Sequence, residues 1–90
     1  MENSLFAYVF KVRQIANGDT IIFFVTTDDK EIELNYFSDV SQKGEITKEM
    51  AHLLAGTLDS DIWAEIFFDD TGTVKSMELE AIAEEDLEEA

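Results

Sequence analysis

The sequence predicts a single small α+β domain: a mainly antiparallel sheet in the order βββαββ, one helix packed on one face, and an acidic C-terminal tail. Three observations lead there. Five short runs rich in β-branched and aromatic residues are separated by turn-forming residues. One further stretch, around residues 47–58, carries apolar side chains at helical spacing. Finally, 46% of the residues are hydrophobic and seven are Phe, which gives a 90-residue chain the dense core that a disordered acidic chain lacks.

The first two runs, residues 5–15 and 20–27, flank Ala16-Asn17-Gly18-Asp19. Asn-Gly between such runs signals a hairpin, because a type I′ turn needs positive φ at both central positions. With Asn17 and Gly18 as the loop, Val12 pairs with Phe23 and Phe10 with Val25. Tyr8, Phe10, Val12, Ile21, Phe23 and Val25 then form the core face. Val9, Lys11, Arg13, Ile22 and Phe24 fall on the other. A third strand over residues 31–37, turned at Asp28-Asp29, adds Ile32, Leu34 and Tyr36 to the core face. Glu31 and Glu33 join the opposite one.

Residues 38–45 read as a polar loop. Thr47 can cap a helix whose stripe is Met50, Leu53, Leu54 and Leu58, with Glu49 well placed against the dipole of its first turn. The helix is expected to end near Leu58. Residues 62–68 and 73–79 form a second hairpin around Asp69-Asp70-Thr71-Gly72. Ile62, Ala64, Ile66 and Phe68 share one face, and Trp63, Glu65 and Phe67 the other. The domain is expected over residues 1–80, with residues 81–90 as an acidic tail or short helix.

Charge restricts the partners. The chain holds 21 Asp and Glu against six Lys and Arg, a net −15. Residues 46–90 hold 13 acids and two bases, so most of the acidity lies in the second half. Such a chain repels nucleic-acid backbones and anionic membranes and attracts basic protein surfaces. It has no cysteine, which rules out disulfides and fits a cytoplasmic setting. The N-terminus lacks the features of a signal peptide, and no run is long enough to span a bilayer.

No residue pattern points to an enzyme. His52 is the one histidine and has no assignable nucleophile or orienting partner. Asp28/Asp29, Asp59/Asp61 and Asp69/Asp70 are ordinary turn formers without a calcium-loop ligand spacing, so neither a metal nor a cofactor is expected. There is no phosphate-binding glycine loop.

Two features carry the functional expectation. One is the non-core sheet face, expected to bear Ile22, Phe24, Trp63 and Phe67 beside Glu31, Glu33 and Glu65. Exposed aromatics grouped on one face mark a partner or self-association site unless the tail, through Ile82 and Leu87, covers them. The other is a carboxylate array. Glutamates two apart on a strand lie about 6.6–6.8 Å from each other. Glu31/Glu33 and Glu78/Glu80 have that spacing, close to twice the roughly 3.4 Å phosphate repeat of one DNA strand. Asp69, Asp70, Glu84 and Glu85 extend the track.

The profile, short, strongly acidic, cysteine-free and aromatic-rich, resembles small phage-encoded inhibitors of nucleic-acid enzymes, such as anti-restriction and anti-CRISPR proteins. It also resembles immunity proteins that neutralise basic nuclease toxins. The resemblance implies a non-enzymatic inhibitor that occupies a basic nucleic-acid channel of a partner enzyme through phosphate-mimicking carboxylates. The alternatives are an immunity protein for a basic toxin, or an adaptor that forms a homodimer through the Trp63/Phe67/Phe24 face.

Overall fold

The computed structural model describes residues 3–81. The strands are β1 (Asn3–Gln14), β2 (Thr20–Thr26), β3 (Glu31–Tyr36), β4 (Ile62–Phe68) and β5 (Val74–Ala81), with the helix α1 (Lys48–Ala55) between β3 and β4. They build one antiparallel sheet in the spatial order β3-β2-β1-β4-β5. The order βββαββ and the antiparallel sheet match the sequence. The sheet dominates, however, and the helix is an eight-residue accessory rather than an equal layer. Of the expected tail, Ala81 ends β5, and residues 82–90, including Glu84, Glu85, Ile82 and Leu87, lie outside the described residues.

All three hairpins use the same loop, and in the first two it replaces the two-residue loop expected. Ala16–Gly18, Thr27–Asp29 and Asp70–Gly72 are three-residue loops. Each is closed by a short-range bond: Gly18 N–H to Ile15 O at 2.8 Å, Asp29 N–H to Thr26 O at 3.0 Å, Gly72 N–H to Asp69 O at 3.2 Å. The last loop residue is left-handed each time, with φ 105° at Gly18, 67° at Asp29 and 87° at Gly72. This is the type I turn with a following left-handed residue, whose twist suits a hairpin.

In the first two hairpins the extra loop residue shifts the register by one and so exchanges the faces of β2. Val12 pairs with Ile22, not Phe23, and Leu34 pairs with Ile22 on the far side. A bulge at Phe10, between Val9 and Lys11, changes the phase of β1 again. The core is therefore Ala7, Val9, Ile22, Phe24, Leu34, Ala64 and Ile66, joined by Ile46, Ala51, Leu54 and Val74. The expected core residues Tyr8 and Phe10 are exposed, and Ile21, Phe23 and Val25 are half-buried on the opposite face. Val12, Ile32, Leu34 and Tyr36 do face the core as expected.

Thr47 caps α1 by accepting the Met50 N–H at 3.1 Å, and Gly56 ends the helix, two residues before the expected stop. Ala51 and Leu54 are buried, Met50 packs at the margin, and Leu53 and Leu58 are exposed, so the apolar stripe is narrower than its spacing suggested. The helix packs on β1, β2 and β3.

The segment 44–46 seals the remainder. Asn35 in β3 donates its N–H to Glu45 Oε1 at 2.8 Å and accepts from Ile46 N–H, while Val74 N–H in β5 donates to Glu45 O at 2.9 Å. These are opposite edges and opposite corners of the sheet, which would lie more than about 30 Å apart if it were flat. The sheet is thus coiled along its diagonal until one tripeptide ties both edges, with Ile46 buried inside the curl. Gly44 is required there, because a Cβ would sit 2.1 Å from Asn35 O.

Candidate partner-binding face

The convex face of this sheet has no covering element among the described residues. The registers define what it displays. One row across the sheet runs Glu31, Val25, Tyr8, Trp63, Glu80; the next runs Phe6, Glu65, Glu78. Phe67 and Ser76 lie beyond on one side, and Phe23, Glu33 and Lys11 on the other. Aromatic side chains occupy the middle strands, with Glu65 among them, and glutamates stand on both edge strands.

The aromatics are preassembled. Tyr8 meets Trp63 edge-on, with ring centroids 5.2 Å apart and planes at 85°. Phe10, carried outward by the bulge, approaches Phe23 at 6.3 Å. Lys11 Nζ lies 5.0 Å from the Phe23 centroid and Arg13 Cζ 5.9 Å, so the two cations shield one end of the cluster. Phe6, Tyr8 and Phe10 keep about two-fifths of their surface in water (40%, 40% and 39%).

The expected site residues divide. Glu31, Glu33, Trp63, Glu65, Phe67, Glu78 and Glu80 do share this face. Ile22 and Phe24 do not: both are fully buried on the helix side, so a surface joining Phe24 to Trp63 and Phe67 does not exist. Tyr8, Phe10 and Phe23 take their place, and alternation missed them because the loops and the bulge reset its phase. Glu84 and Glu85 lie outside the described residues.

Asp69 has a structural task. Its Oδ1 accepts from the Thr71 hydroxyl at 2.7 Å and from the N–H groups of Thr71 and Thr73 at 2.9 and 3.1 Å. The Thr71 hydroxyl, then its N–H, holds this carboxyl below the usual aspartate range. Asp70 is exposed in the same loop, and Lys75 and Ser76 separate the pair from Glu78 along the chain. The acidic track is therefore two edge pairs and not one continuous line.

Glu65 and Glu78 are direct cross-strand neighbours. Like charges in that position destabilise a sheet.

His52 is exposed on α1, as expected. Among the described residues no group of three or more His, Asp or Glu could hold a metal ion. Nor is any described helix long and apolar enough to cross a membrane. Compared with protein-family models, with curated proteins and with solved structures, the chain shows no significant match in any of the three.

Proposed function

We propose that the chain is a protein-binding inhibitor whose convex sheet face docks on a basic, nucleic-acid-binding surface of a partner enzyme and keeps the nucleic acid out. The observation that carries this reading is the aromatic centre framed by glutamates on both edge strands, in a molecule of net charge −15. The rings supply area that gains by leaving water, and the carboxylates select a cationic rim and speed the encounter. Aromatic rings on an open sheet can also stack on single-stranded nucleic acid, but that requires a positive surface. Self-association would oppose two surfaces with the same acidic edges, which disfavours a homodimer.

The test is competition. The immobilised chain is exposed to nuclease-treated host extract, and the captured protein is challenged with salt and with short DNA and RNA duplexes. Expected are release between about 0.1 and 1 M salt, displacement by polynucleotide, and loss of capture when Glu31, Glu33, Glu78 and Glu80 are all changed to Gln. Capture indifferent to both salt and polynucleotide would sink the reading.

A further inference from the structure

A pocket of about 440 Å³ opens at one end of the convex face, where β1 and the start of β4 meet the turn after the helix. Its walls include the rings of Tyr8, Phe10 and Trp63 and the turn residues Asp59 and Asp61. Two backbone irregularities build it. The bulge at Phe10 turns that ring out of the sheet alternation. Asp59 is left-handed, φ 68°, a conformation that Asp and Asn tolerate better than other residues with a Cβ. Asp19, Asp28, Asp39 and Asp69 each commit a carboxylate oxygen to bonds within or between loops. Asp59 and Asp61 instead border a ring-lined hollow.

Aromatic faces and carboxylates about one cavity make a site for an organic cation. The rings attract positive charge through their quadrupoles, and the carboxylates add charge-assisted hydrogen bonds. A planar guanidinium uses both: it stacks on a ring and presents a fork of N–H donors to a carboxylate, which a compact ammonium does not match. We propose that this pocket receives an arginine side chain presented by the basic partner. The inference rests on the docking reading above and assigns that surface its anchoring contact.

Trp63 is the only tryptophan, so its fluorescence reports directly on the pocket. The full chain is titrated with a capped Gly-Arg-Gly peptide and with the same peptide carrying citrulline, the uncharged isostere, norleucine or trimethyl-lysine. Saturable binding of the arginine peptide is expected, at least about tenfold tighter than citrulline and norleucine. Asp59→Asn with Asp61→Asn, or Phe10→Ala alone, should weaken it at least about fivefold. Equal binding of arginine and citrulline overturns the proposal, and that comparison needs only the wild-type chain. Tighter binding of norleucine or trimethyl-lysine overturns it as well. No arginine binding alongside salt-sensitive capture of a partner rejects the pocket and leaves the docking reading standing. Arginine binding with no polynucleotide-sensitive capture rejects that reading and leaves the pocket.

Discussion

The two faces of the sheet both carry large apolar side chains, yet of different kinds. The core side carries Ala7, Val9, Ile22, Ala64 and Ile66, with Phe24 the one aromatic ring in the fully buried set. The convex face carries Tyr8, Phe10, Phe23, Trp63 and Phe67. A helix that packs through Ala51 and Leu54 and a latch that inserts Ile46 leave room for small and branched residues, not for a layer of rings. The larger rings are therefore on the outside. Aromatic bulk does not locate the core; the side where backbone can approach backbone does.

This contrast orders the effects of substitution. Phe24→Ala should destabilise most, by about 3–5 kcal/mol, because it empties a fully buried site. Gly44→Ala should follow at about 1–3 kcal/mol, since the new methyl meets the Asn35 carbonyl and pushes the latch off β3. Trp63→Ala should cost the least, about 1 kcal/mol, chiefly the contact with Tyr8. Urea unfolding of the three variants measures the ranking. If Trp63→Ala costs as much as Phe24→Ala, the convex face is a second core and not a docking surface.

A smaller effect comes from Asp19, which ties the first loop to the end of β3. The Ser38 N–H, at 2.8 Å, is the main cause that holds the Asp19 carboxyl below the usual range, with the Ser38 hydroxyl assisting. A carboxyl depressed in the folded state stabilises the fold above its unfolded pKa, about 3.9. That contribution disappears as pH falls through the folded value. Asp19→Asn should therefore melt below the wild type at neutral pH, and the gap should close in strong acid. Thermal melts from neutral to strongly acidic buffer check this, and a gap independent of pH would show that charge plays no part.

Much of the fold is legible in the sequence, and the places where it is not depend on geometry that local patterns do not carry. The order of elements, the antiparallel hairpins, the Thr47 cap and the pairing of Trp63, Glu65 and Phe67 on one face follow from turn residues and alternation. The choice of face in the first meander does not. Ile21-Ile22 and Phe23-Phe24 are doublets, so β2 offers the same residue types to both sides. A shift of one residue then leaves the hydrophobic pattern unchanged. Only the loop length decides, and Asn-Gly suits a two-residue loop and the last two positions of a three-residue loop alike. The glutamates of the convex face are legible because Glu31, Glu33, Glu78 and Glu80 occupy edge-strand stretches that alternate, the irregularity of β5 at Lys75 lying before its pair. Tyr8 and Phe10 escape the alternation because the bulge at Phe10 leaves no composition signal, and Phe23 because loop length sets the face of β2. The latch at Glu45 depends on a contact between distant corners that no local pattern encodes.

The double pairing of β1 also has a kinetic consequence. Three of the sheet's four seams join strands connected by three-residue loops, which makes them local and quick to close. The fourth unites residues 3–7 of β1 with residues 64–68 of β4, across most of the chain. Closing that long loop carries the entropy cost that slows folding. Ile66→Val should accordingly slow refolding, whereas Leu34→Ala should mainly speed unfolding; stopped-flow measurements across denaturant separate the two limbs. An effect of Ile66→Val on unfolding alone would place the barrier elsewhere. With its first residues on β4 and its last on β2, the longest strand is the hinge pin on which two quickly formed hairpin units become one protein.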